Sequence, residues 1–170
     1  MLNIQAIACV TAVFAAAGVS LAQNTSPSAQ DKQFAKDAAS GGMLEVRLGQ
    51  YASDNASSDA VKKFGEKMVG DHTKANDKLK EVASQKSIEV PKVLSDEDQK
   101  VLDRLEQLKG ADFDKAYVKQ MIEDHLNDVH AFEKEVNDGT EPAVKAFAEA
   151  TLPSLKHHLE MARALEGKAQ

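Results

Sequence analysis

Tryptophan is absent, cysteine occurs once, at position 9, and four prolines and nine glycines are all that punctuate 170 residues. Each scarcity excludes something. Cys9 sits inside an apolar leader, so the rest of the chain has neither a disulfide framework nor a thiolate metal site. Aromatics make up only 5% of the sequence, which leaves strands few of the residues they favour. A Gly-rich phosphate loop, a Gly-x-Ser-x-Gly elbow and a nucleophilic cysteine are missing too, and with them the common machinery of phosphoryl and acyl transfer. Positive charge is the minority: 21 Lys and Arg against 27 Asp and Glu give a net charge of −6. No basic patch interleaves with aromatics, so nucleic acid is not expected as a partner.

Residues 1 to 22 carry no charged side chain and end in Ser20-Leu21-Ala22, a small-x-small cleavage pattern. The expectation is a signal peptide cut after Ala22, a periplasmic or secreted product, and no stable membrane insertion after cleavage. Because no Lys or Arg precedes the apolar run, an uncleaved anchor is the alternative. Ala6-Ile7-Ala8-Cys9 resembles a lipobox but lies at the start of that run, and Cys9 reads as filler. Residues 23 to 30 are polar and contain Pro27, which reads as a linker; residues 31 to 168 read as one domain.

Within that domain Ala, Lys, Glu, Asp and Leu dominate, and apolar residues recur at the helical period in four long stretches. The first, from about residue 31 to 55, places Phe34, Ala38, Gly41, Glu45, Leu48 and Ala52 within roughly 80° of a helical wheel, behind a Ser28–Asp31 capping box. Its Gly41-Gly42 pair costs about 1 kcal/mol per glycine against alanine, and close approach of another backbone is the expected gain. The second stretch, capped by Ser57 or Ser58, carries Val61, Phe64, Met68, His72, Ala75, Leu79 and Val82, and ends before Pro91. Ser95-Asp96-Glu97-Asp98 opens a short crossover helix with Leu102, Leu105 and Leu108 inward and Gly110 as its stop. The third, capped by Asp112, carries Tyr117, Val118, Met121, His125, Phe132 and Val136, after which Asn137-Asp138-Gly139 turns the chain. The fourth opens at Pro142, carries Val144, Phe147, Ala148, Leu155, His158, Ala162 and Leu165, and should kink at Pro153. The expected fold is all-α: a four-helix bundle with a long crossover carrying a short helix, monomeric or weakly dimeric.

One short pattern occurs twice. Residues 64 to 72, Phe-Gly-Glu-Lys-Met-Val-Gly-Asp-His, and 117 to 125, Tyr-Val-Lys-Gln-Met-Ile-Glu-Asp-His, repeat an aromatic, a Met, a β-branched residue and an Asp-His pair at the same spacing. Each long stretch thus carries one polar group on its apolar face: Glu45, His72, His125 and His158, with Asp71 and Asp124 alongside. A rise of about 1.5 Å per residue puts the members of each hairpin within about 6 Å of one level. One Glu with three His is a donor set for one divalent metal ion such as zinc, copper or iron, with the carboxylates of Asp71 and Asp124 orienting the rings. A buried Glu–His hydrogen-bond network satisfies the same groups without metal and is the commoner case. His130 and His157 fall off the stripes, and Met68 and Met121 fit the packing face as gap fillers.

Several of these segments are similar to a known family. They are Gly41-Gly42-Met43 with Glu45, Phe64-Gly65 with Met68-Val69 and Asp71-His72, Phe113-Asp114 with Tyr117, Met121-Ile122 with Asp124-His125, and Leu152-Pro153 with Leu155 and His158-Leu159. The family comprises exported bacterial proteins of unknown function that carry the label predicted outer membrane protein. The resemblance spans most of residues 34 to 165 and implies a ferritin-like four-helix bundle, but it brings no activity. The Glu-x-x-His pairs of ferritin-type di-iron enzymes are missing, since Val69, Ile122 and Leu155 stand three residues before the three histidines. Two function classes follow. A non-enzymatic envelope or stress-related binding protein acting through its surface ranks first; a metal-binding protein or metal-dependent oxidoreductase built on the interior Glu/His site is the alternative. No residue is assigned as catalytic, and the partner is not specified.

Overall fold

A computed structural model describes residues 26–166. The signal peptide, its cleavage point and Cys9 lie outside the described residues. Five helices follow in order: α1 (Ala29–Asn55), α2 (Asp59–Gln85), α3 (Asp96–Glu106), α4 (Gly110–Asp138) and α5 (Pro142–Glu166). No strand occurs among the described residues, so the all-α expectation holds. α1 and α2 form one hairpin and α4 and α5 another; α2 meets α5 and α1 meets α4 to close the bundle, while α3 bridges α1 and α4 from the side.

The stripes read from the sequence are the buried faces. Leu48, Phe64, Met68, Tyr117, Met121 and Leu155 are almost fully enclosed, and each such side chain contributes about 1.5–3 kcal/mol relative to exposure. Ala38, Gly41, Ala75, Val136 and Leu165 are only half-buried. The apolar core is not continuous. One cluster gathers Leu48, Phe64, Met68, Leu105, Phe113 and Tyr117, and a second gathers Phe34, Leu79, Val82, Phe132, Phe147 and Leu155. In sequence, His72, His125 and His158 each fall between a residue of one cluster and a residue of the other.

Helix ends depart from the sequence reading in instructive ways. Ser28 and Asp31 do form the reciprocal capping box, at 3.1 and 2.6 Å. Ser58 occupies the N-cap of α2 without a side-chain cap bond; Asp114, from α4, instead accepts Ser57 N, Ser57 Oγ and Ser58 N at 3.0, 2.6 and 2.8 Å. Asp112 does not cap α4, which begins at Gly110 with φ 58° behind Lys109. Gly110 therefore opens a helix where a stop was expected, its positive φ being cheap only for glycine. α4 also runs on through Asp138, and α5 passes Pro153 unbroken.

The close helix approach lies elsewhere than expected. A Cβ on Gly49 would sit 2.8 Å from the carbonyl oxygen of Gly65, and one on Gly65 2.6 Å from that of Gly49, so this pair sets the α1–α2 contact. At Gly42 the nearest atoms a Cβ would meet, at clashing distance, belong to the Asn76 side chain and not to backbone, and at Gly41 there is nothing within 4 Å.

Candidate metal centre

Glu45 (2% exposed), His72 (4%), His125 (0%) and His158 (1%) come together where α1, α2, α4 and α5 face one another. The one-turn offset expected within each hairpin is bridged by side-chain reach: His72 Nδ1 lies 2.8 Å from Glu45 Oε2, and His125 Nε2 lies 3.3 Å from His158 Nδ1. His125 Nε2 is also 3.4 Å from Glu45 Oε1. One ring nitrogen from each histidine falls within 4.8 Å of the others, and the ring centroids are 5.3–5.5 Å apart.

Outer contacts decide what the inner nitrogens can do. His125 Nδ1 is 2.9 Å from the carbonyl oxygen of Met121, one helical turn back. A carbonyl only accepts, so Nδ1 carries the proton and Nε2 of the neutral ring is a bare lone pair. His158 Nε2 is 3.0 Å from Asp71 Oδ2. Burial opposes ionisation of Asp71, but hydrogen bonds from Lys67 and His158 outweigh it and hold the carboxyl below its ordinary value. Asp71 is thus an acceptor, which puts the His158 proton on Nε2 and leaves Nδ1 bare. Two lone pairs then face each other at 3.3 Å. A positive charge between them would turn this repulsion into attraction, and burial makes a proton a poor candidate, since it pushes His125 down and His158 down to about 4.

The rest of the cluster is similarly unspent. His72 Nε2, Glu45 Oε1 and the Tyr117 hydroxyl are buried without a hydrogen-bond partner, a condition that costs about 1–3 kcal/mol per group if nothing fills it. Burial raises Glu45 to about 7 against the opposing pull of His125, and lowers His72 to about 4. When Glu45 is ionised it accepts from His72 Nδ1, and His72 Nε2 becomes a third bare nitrogen.

The six residues singled out in the sequence thus divide into three groups. Glu45 and the three histidines meet. Asp71 touches the cluster from outside, through His158 and not through its neighbour His72. Asp124 is bonded to Gln120 Nε2 at 2.9 Å and faces a cleft between α1, α3 and α4, where burial raises it to about 6. His130 and His157 are exposed. Sequence reasoning passed over that cleft and the Tyr117 hydroxyl. The acidic first turn of α3 was its one linear trace, read as a helix cap.

A family described as a domain of unknown function (DUF4142) matches residues 16–165. No curated protein matches the chain. Among solved structures, a DUF305 fragment from Deinococcus radiodurans is similar with a TM-score of 0.74 and 11% identity, covering 85% of this chain and 99% of that one. A DUF305 protein from Streptomyces coelicolor, provisionally named as secreted, is similar with a TM-score of 0.68 and 18% identity, covering 82% and 93%. At these identities the likeness is one of fold. The unknown-function family expected from the sequence is therefore found, without the ferritin-like or outer-membrane labels.

Proposed function

We propose that this chain, which belongs to the DUF4142 family, is an exported helical-bundle protein that holds one divalent transition-metal ion between Glu45, His72, His125 and His158. The observation that carries the reading is the pair of bare imidazole nitrogens facing each other at 3.3 Å with their outer N–H groups already committed. Tetrahedral bonds of about 2.0–2.1 Å to histidine separate neighbouring donors by about 3.3–3.4 Å. Both the His125–His158 spacing and the 3.4 Å from His125 Nε2 to Glu45 Oε1 suit that geometry. Outer partners of this kind, the Met121 carbonyl on His125 and the Asp71 carboxylate on His158, orient metal-binding histidines and raise their basicity. The donor types, nitrogen with one carboxylate oxygen, suit zinc, copper or ferrous iron better than calcium or magnesium.

Binding, with no turnover, is the part of this reading we favour. Three imidazoles and a carboxylate fill a four-coordinate shell, which leaves no open position for a substrate. A role carried by the surface alone now ranks second, because Val93 and Leu126 are the exposed large apolar side chains among the described residues. Export is part of the same reading: residues 1 to 22 have signal character, and no described helix is long and apolar enough to cross a membrane. The test is metal analysis of protein purified from the exported fraction, followed by titration of the metal-free form with zinc, copper and ferrous iron. One ion bound per chain, lost in His125→Leu and retained in His130→Ala, is the expected result. A metal-free protein that none of the three ions stabilises would return the cluster to a hydrogen-bond network.

A further inference from the structure

We infer that the acidic cleft between α1, α3 and α4 is the port through which a divalent cation passes from solvent to the histidine centre, a proposal that rests on reading that centre as a metal site. The cleft has a volume of about 250 Å³, and its walls include Asp37, Glu97, Asp98, Asp124 and Asp128. None of the residues lining it is basic. Glu45 belongs to the same wall, is 2% exposed, and keeps its Oε1 without a hydrogen-bond partner 3.4 Å from His125 Nε2. A single unspent carboxylate oxygen thus joins the cleft to the centre. Clustered carboxylates in a walled cleft focus the field and raise the local cation concentration, with Asp128 contributing least because burial and its acidic neighbours push its carboxyl well above the ordinary value.

Gly41 gives an independent reason for the same assignment. It lowers helix propensity in the middle of α1 relative to alanine, yet a Cβ there would meet nothing within 4 Å, so helix packing does not require it. It lines the cleft, and a side chain at this position would occupy the space the cleft leaves open. The rim opposite is fixed in place: Ser40 Oγ donates to Asp98 Oδ2 and accepts from Ser95 N at 2.8 Å, mooring the first turn of α3 to α1. The other approach, a pocket of about 220 Å³ between α2 and α5, touches His72 and His158 but offers Lys74 and an Asp71 already bonded to Lys67 and His158.

Stopped-flow mixing of the metal-free protein with cobalt(II), read by the visible absorption of the tetrahedral ion, measures entry, and a chelator chase measures exit. Gly41→Phe should slow entry and exit by the same factor and leave Kd unchanged, because a plug alters the path and not its ends. Glu97→Gln combined with Asp37→Asn should slow entry about threefold or more at low ionic strength, with the difference vanishing in high salt. Unaltered rates in both variants, with the cobalt band intact, would overturn the port and leave the centre standing. Slowing by Thr151→Phe in the α2–α5 pocket in their place would overturn it equally. A wild-type protein that gives no cobalt band would remove the centre and the port together.

Discussion

Two groups of buried carboxylates in this bundle are treated in opposite ways. At the helix ends, Asp31 accepts from Ser28 N, Thr140 N, Thr140 Oγ1 and Glu141 N, and Asp114 accepts from Ser57 N, Ser57 Oγ and Ser58 N. Each ties together segments far apart in sequence, and all four carboxylate oxygens are used. In the middle of the bundle Glu45 has one oxygen on His72 and the other on nothing, beside histidines whose inner nitrogens are bare. Buried polar groups that only hold a fold are ordinarily satisfied within it. The difference teaches where a carboxylate is satisfied by the fold itself and where it is left one partner short, a shortage that Glu135 Oε1 and Glu141 Oε2 share near the Asp31 cap.

The comparison breaks most visibly at its saturated end. Asp31→Ala strands the turn amides of Thr140 and Glu141 and should cost about 3 kcal/mol in urea unfolding, with no effect of metal on the loss. Burial opposes ionisation of Asp31, but hydrogen bonds from Thr140 and Ser28 outweigh it, so its folded carboxyl lies well below the ordinary value. The sign follows: its contribution is complete above the unfolded pKa near 4 and is lost as pH falls below it. Acid titration of wild type minus Asp31→Asn should show that loss.

At the unsaturated end the effect of mutation should reverse. Free metal at about 100 times Kd should stabilise the protein by about 2.7 kcal/mol, or roughly 5–10 °C in Tm for a domain of this size. His125→Leu should abolish that gain while changing metal-free stability by less than about 1.5 kcal/mol, since an apolar side chain replaces a buried polar group with an unspent nitrogen. A large loss of metal-free stability in this variant would mean that the cluster is saturated after all.

A smaller effect sharpens the contrast near the Asp31 cap. Glu135 is raised to about 7, first by burial and then by its hydrogen bond with Asp31. A carboxyl raised in the folded state contributes stability that is present below its unfolded pKa and lost as pH rises through 7. Thermal melts of wild type and Glu135→Gln between pH 5 and 8 should therefore diverge, wild type losing ground toward pH 8. Smallest of all, His130→Ala or His157→Ala should change stability by less than about 0.5 kcal/mol with or without metal, because both side chains are exposed.

Much of the scaffold was legible because helical amphipathicity is local. Val61, Phe64, Met68, Leu79 and Val82 fall on one face through spacing alone, and burial of that face follows wherever the partner lies. The inward polar residues Glu45, His72, His125 and His158 were legible for the same reason, as polar breaks in those faces. Helix ends were less so. Asp114 serves a helix that starts 55 residues earlier, and Asp112, which has the better local position for a cap, goes unused. The Gly49–Gly65 contact was also missed, since a close approach needs both helices to be placed before either glycine has a meaning.

The sequence by itself determined the helices, their apolar faces and the polar residue each long helix brings inward, since periodicity and residue chemistry act over a few turns. Tertiary structure alone decided which nitrogen of each histidine is free, because that depends on whether Met121 O, Asp71 or Glu45 takes the other. It alone decided that carboxylates from α1, α3 and α4 share one cleft. Hydrogen-bond donation and electrostatic focusing act over a few ångströms of space, and residues far apart along the chain come within that range only when the helices pack.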